Sequence, residues 1–192
     1  MSKFARMTAL AVTTVAISAG AIVYFGSKSS PSNDAAWQTL LASSHEAGDW
    51  VTYGGTFDEQ RFSGLTQINA KSVADLGLAW SFELDTNRAQ EGTPLEKDGV
   101  LYVTTAWSKV YAFDAVTGKE LWRFDPQVPG EYAAKGCCDV GNRGAALYDG
   151  KLYFGTFDGR LIALDAKTGK PVWSVVTVDQ SKTYTITGAP RI

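Results

Sequence analysis

One histidine and two cysteines are all that these 192 residues hold of those two types. The histidine, His45, lies in the polar stretch SSHEAGDW and reads as part of a surface turn. The sequence contains no C-x-x-C-H, which excludes a covalent haem site within it. No G-x-G-x-x-G follows a strand-like run, which removes the nicotinamide fingerprint. Neither sign of charge is in excess, with 18 Lys and Arg against 20 Asp and Glu. Such a balance offers no basic stripe for nucleic acid. What cysteine there is stands together, as Cys137 and Cys138 in KGCCDVGNRG.

Long uncharged apolar runs are also scarce, and the prominent one is at the N-terminus. Lys3 and Arg6 precede MTALAVTTVAISAGAIVYFG, residues 7–26. A basic flank before an apolar run reads as an export signal. At about twenty residues the run is also long enough for a retained membrane anchor. Ser18, Ala19 and Gly20 suit cleavage, whereas Tyr24 and Phe25 carry the apolar run past them. Both readings place residues 1–26 outside the fold and everything after them in an exported, oxidising compartment. Residues 27–36 read as a polar linker, and 37–192 as the folded part.

The whole chain is rich in aromatics (12%) and in glycine (19 residues), a β-like composition. Two short helices are expected. One carries Trp37, Leu40 and Leu41 on one face, capped by Asn33 or Asp34. The other spans NAKSVADLG, from Asn69 to Gly77.

Two segments then align without a gap at an offset of 51: DGVLYVTTAWSKVYAFDAVTGKELW, residues 98–122, and DGKLYFGTFDGRLIALDAKTGKPVW, residues 149–173. Each reads as strand, turn, strand, turn, strand, with the middle strands VYAFD and LIALD alternating inward and outward. The TGK glycines supply positive φ. A further strand, LAWSFEL around Trp80, comes earlier without a preceding turn motif. Repeats of this length with this content predict antiparallel β-propeller blades, with Trp122 and Trp173 as core packing. A propeller has four to eight blades, and this chain has two or three. The expectation is an N-terminal fragment of a longer protein.

Adjacent cysteines in an oxidising compartment are expected to pair. Such a bond closes an eight-membered ring and demands a distorted or cis peptide. A non-proline cis bond costs about 3–4 kcal/mol. The bond restrains almost no loop, so it is a stiff local plate and not a staple. Two independent thiols are the alternative.

The residues GDWVTYGGTFDEQRFSGLTQIN (48–69), EGTPL, GCCDVGNRG and TITGAP closely resemble the N-terminal part of the PQQ-dependent alcohol dehydrogenases. The A-x-D-x-x-T-G-K-x-x-W pattern, seen twice, resembles that family's tryptophan-docking motif. The resemblance implies an all-β, eight-bladed propeller in the periplasm that binds pyrroloquinoline quinone (PQQ) and Ca²⁺, some members adding a C-terminal haem c domain. It implies that Cys137 and Cys138 form a disulfide platform under the PQQ ring, and that Arg143 contacts a PQQ carboxylate. Glu91 would pair with that arginine, and Thr187 would hydrogen-bond a PQQ carboxylate. Thr183, Thr185 and Thr187 share one face of an expected strand. The catalytic aspartate and the Ca²⁺ ligands would lie beyond residue 192.

The implied reaction oxidises a primary alcohol to an aldehyde. Ca²⁺ polarises the quinone carbonyl, an aspartate takes the alcohol proton, and hydride passes to the quinone carbon. Electrons then leave to a cytochrome. The fragment alone is expected to be inactive, and residues 7–26 are a candidate membrane tether. Two alternatives stand beside this reading. One is a non-catalytic propeller scaffold of the outer-membrane assembly type, which would have no need of the cysteine pair with Arg143 and Glu91. The other is a quinoprotein acting on sugars or aldehydes.

Overall fold

A computed structural model describes residues 38–39, 41–42, 48–88 and 90–192. The leader, the linker, His45 and the expected cap at Asn33 or Asp34 lie outside them. Gln38, Thr39, Leu41 and Ala42 have helical backbone, in line with the first expected helix.

Two four-stranded antiparallel sheets make up the folded part. The first runs β1 (Leu95–Lys97), β2 (Val100–Thr104), β3 (Val110–Asp114) and β4 (Glu120–Phe124). The second runs β5 (Ala146–Tyr148), β6 (Lys151–Gly155), β7 (Arg160–Asp165) and β8 (Pro171–Val176). Strands neighbour in sequence order, as in two propeller blades. Each blade has one more strand than the repeat indicates, because the short inner strands β1 and β5 precede the alignable segment.

The middle strands do not alternate. Val110, Tyr111, Ala112 and Phe113 are all buried, as are Ile162, Ala163 and Leu164. A central strand covered on both faces has no solvent side for polar residues to occupy. Val110 and Ala112 join Leu152, Phe154, Ile162 and Leu164 in the core between the blades. Tyr111 and Phe113 turn the other way, where Phe82 packs on both rings at 6.3 and 4.7 Å.

Phe82 belongs to the expected strand LAWSFEL, which joins no sheet here. It is held by side chains instead. The Trp80 indole donates to the Ala115 carbonyl at 3.0 Å, as the Trp122 indole donates to Ala166 at 3.1 Å. Each ring lies on the glycine of the turn it reaches. A Cβ on Gly118 would come within 2.5 Å of Trp80, and one on Gly169 within 2.5 Å of Trp122. Those glycines also have φ of 71° and 68°, which a side chain disfavours. Trp173, expected in the core, is 39% exposed. It keeps its contact with Tyr153, at 5.9 Å like Trp122 with Tyr102, but no described turn lies over it.

The rest of the motif closes the turn. Asp114 Oδ1 accepts from the Thr117 N–H at 2.7 Å and its hydroxyl at 2.8 Å. Asp165 does the same with Thr168 at 2.8 and 2.7 Å. These bonds, the threonine hydroxyl's first, hold both carboxyls below their ordinary range.

The second expected helix shrinks to a 3-10 turn at Val73–Asp75 with no buried residue. Nine residues without a face to pack do not repay helix nucleation. Thr183–Thr187 likewise form no strand. Among the described residues no helix is long and apolar enough to cross a membrane.

Candidate functional site

Glu91, just before β1, and Arg143, just before β5, occupy equivalent entries to the two blades. Blade packing therefore brings them together. Arg143 Nη2 lies 3.2 Å from Glu91 Oε2. The loops that carry them are joined by the Thr93 N–H, which donates to the Arg143 carbonyl at 3.3 Å.

Thr187 arrives from beyond β8. Its carbonyl accepts the Arg143 N–H at 2.8 Å, and its Oγ1 accepts from Arg143 Nη1 at 2.5 Å. The preceding Ile186 lies against Gly155, where a Cβ would be 2.2 Å from its methyl. Thr187 is thus placed by point contacts and not by a strand register.

Cys137 and Cys138 sit between β4 and β5, both exposed and not joined by a disulfide in this structure. Their sulfurs are 2.6 Å apart. No cis peptide bond occurs among the described residues; the distorted or cis link is an expectation for the bonded pair. The Cys137 sulfur, through the S–H contact and then through charge, pushes the Cys138 thiol up. Smaller effects from Arg143 (down) and Glu91 (up) reach the same thiol, and the Glu91 carboxylate lies against Gly141, three residues after Cys138, where an added Cβ would be 3.1 Å from Oε2. All five residues singled out in the sequence therefore fall into one neighbourhood.

The loop carrying the pair is fixed at both ends. Before it, Gly136 packs on the buried Phe157, whose ring would be 2.3 Å from an added Cβ. After it, the Trp107 N–H donates to the Val140 carbonyl at 3.0 Å.

One residue with a large structural part had no role assigned from sequence. Asn142 is 1% exposed. Its Nδ2 donates to the Gly155 carbonyl at 2.9 Å, and its Oδ1 accepts the Gly144 N–H at 3.0 Å. It ties the Arg143 loop to the end of β6. Its place in D-x-x-N-R-G was the available signal.

The chemistry this set offers is anion recognition beside an exposed sulfur pair. The Arg143 side chain is 51% exposed, so part of its donor fork faces outward for a planar carboxylate. Thr187 Oγ1 accepts from the arginine, which leaves its own O–H to donate. These features fit a planar polycarboxylate such as PQQ. They do not fit a metal: among the described residues no three His, Cys, Asp or Glu side chains gather to hold one. A separate groove of about 370 Å³ opens between the blades, lined by Lys97, Tyr102, Lys151 and Lys167 among others. It lies at the opposite ends of β1 and β5, and none of the five residues lines it.

Residues 50–180 match the family model described as "PQQ: Glucose/ethanol/alcohol dehydrogenase, beta-propeller domain". The chain is similar to the "Alcohol dehydrogenase (quinone), dehydrogenase subunit" of Komagataeibacter europaeus, at 58% identity over 81% of this chain and 22% of that protein. Among solved structures it resembles the quinohemoprotein alcohol dehydrogenase ADHIIG of Pseudomonas putida HK5. There the TM-score is 0.77 at 49% identity, covering 80% of this chain and 23% of that one. A europium-containing methanol dehydrogenase matches with TM-score 0.74 at 40% identity, over 79% of this chain and 27% of that one. The chain spans about a fifth to a quarter of the length of these relatives.

Proposed function

Because the chain belongs to the glucose/ethanol/alcohol dehydrogenase β-propeller family, we propose that it supplies one wall of the PQQ site of an exported, periplasmic alcohol dehydrogenase. The whole enzyme would oxidise primary alcohols to aldehydes and deliver electrons to a cytochrome. The observation that carries this reading is the triad of Glu91, Arg143 and Thr187 gathered on the loop that carries the cysteine pair.

When bound, PQQ supplies a quinone that accepts two electrons; that chemistry is the cofactor's own. The residues of this chain bind and orient. Arg143 offers charge-assisted donors to a carboxylate. Glu91 aims the guanidinium; as a partly exposed ion pair it adds only about 0–1 kcal/mol of stability, so its part is direction. The Thr187 hydroxyl donates alongside. Cys137 and Cys138, oxidised to a disulfide in the exported protein, would form a rigid platform. Ca²⁺, implied by the resemblance, has no ligand set among the described residues, and no step is assigned to it.

The test is a titration of full-length apoenzyme with PQQ. Uptake that falls with Arg143→Ala supports the reading, and unchanged uptake removes Arg143 from the site. Reduction of the cysteine pair, or the double change Cys137→Ala with Cys138→Ala, is expected to lower activity more than folding stability; equal losses would make the pair structural. A panel of alcohols, sugars and aldehydes then separates the substrate classes. The N-terminal sequence of the mature protein decides between a cleaved signal and a retained tether at residues 7–26.

A further inference from the structure

We infer that Arg88 and Asp139 form a latch that sets the orientation of the Cys137–Cys138 pair, and are therefore positioning residues for the planar cofactor. The inference rests on the reading that this pair faces PQQ.

Asp139 follows Cys138 directly and has φ of 72°. The chain must reverse there, and Asp is among the few residues other than glycine that accept such a backbone readily. Its carboxylate is ion-paired with Arg88, 51 residues earlier in the chain. The bonds from the Val140 N–H and Arg88 hold that carboxyl below its ordinary range. Arg88 in turn lies over the Trp107 ring, with Cζ 5.6 Å from its centroid. Trp107 closes the circuit through its backbone bond to Val140 at 3.0 Å. Two separate segments thus grip the two residues that follow the cysteines: the approach to β1, through Arg88, and the turn after β2, through Trp107.

Two features argue for orientation over stability. Both side chains are substantially exposed, at 43% for Arg88 and 32% for Asp139, and an exposed ion pair contributes little to stability. Yet Trp107 and Ser108 both adopt positive φ, 62° and 58°, to present the indole and the backbone donor. Backbone held in this region is maintained by its surroundings and gathers at functional sites. A guanidinium held over an indole and paired with a carboxylate is restricted in its placement, and through Asp139 so is the tilt of the adjoining cysteines.

The experiment uses full-length apoenzyme and two readouts: the Kd for PQQ, and the rate at which iodoacetamide alkylates the reduced cysteine pair. Arg88→Ala and Asp139→Asn are each expected to raise the Kd about tenfold and change the alkylation rate severalfold, with Tm nearly unchanged. Asp139→Asn keeps a residue suited to positive φ and removes only the charge. The double variant should be no worse than either single one, and Arg88→Lys should recover part of the loss. Singles that match wild type in both readouts, or losses that add in the double variant, overturn the latch. A wild-type apoenzyme that takes up no PQQ while the alkylation rates still respond overturns the functional reading and leaves the latch standing.

Discussion

Arg143 is bonded to Thr187 twice, from its backbone N–H to the carbonyl at 2.8 Å and from Nη1 to the hydroxyl at 2.5 Å. The first bond is indifferent to the side chain at 187, and the second depends on it. Thr187→Val should therefore keep the loop closed, losing only about 0.5–1.5 kcal/mol of stability. PQQ affinity should fall about tenfold, because the hydroxyl donor to an anion is gone. Thr187→Ser should bind as wild type. Thermal unfolding and PQQ titration of the full-length protein check both; a valine variant with wild-type affinity would show that Thr187 only braces the arginine.

Asn142 is the buried tie of the same loop. Asn142→Ala leaves the Gly155 carbonyl and the Gly144 N–H without partners, at about 1–3 kcal/mol each. Denaturant unfolding should show that loss, accompanied by weaker PQQ retention as Arg143 loses its footing. A change below about 0.5 kcal/mol would mean that water replaces the amide.

Gly169 has a left-handed backbone with the Trp122 ring in the place of a side chain. Gly169→Ala should cost about 2 kcal/mol or more, from the backbone conformation and from overpacking. Trp122→Phe should cost about 1 kcal/mol for the lost bond to Ala166. Denaturant midpoints measure both, and equal small effects would show that the indole is not seated there in solution.

Tyr102 is buried, and its hydroxyl donates to the Ala166 carbonyl at 3.2 Å. Burial, reinforced by the charges of Asp98, Asp165 and Glu96, pushes its phenol up to about 12. A folded pKa above the unfolded value near 10 means that stability is intact below pH ~10 and declines as pH rises towards 12, where only the unfolded chain has ionised. Tyr102→Phe should flatten part of that decline in alkaline denaturation profiles. An unchanged slope would place the ionisation elsewhere.

The repeat made the blades legible because three chemistries recur at one offset: apolar strand runs, the Asp–Thr–Gly turn and a tryptophan. The inner strands β1 and β5 were not legible, since LEK and ALY are too short to show a period. The middle strands broke the expected alternation because both their faces are covered, a fact of blade packing that no local pattern carries. LAWSFEL had strand composition but pairs with nothing described here, so composition alone misassigned it. At the site, the resemblance brought out Glu91, Arg143 and Thr187, and the structure gathers them. The strand expected to carry Thr183, Thr185 and Thr187 on one face does not form. Arg88 and Trp107 act through contacts with Asp139 and Val140, dozens of residues away in sequence, and such contacts leave no local trace; Asn142 had only its place beside Arg143 to mark it.

The tryptophan joints have a direction in time as well as in space. Trp80 precedes its acceptor Ala115 by 35 residues, and Trp122 precedes Ala166 by 44. On a ribosome each ring emerges before the turn that will clamp it. Every newly made blade thus leaves an indole uncovered until its successor arrives, and the successor's glycine completes its predecessor. A defect in one turn would consequently be felt upstream, as fraying of the outermost strand of the blade already made.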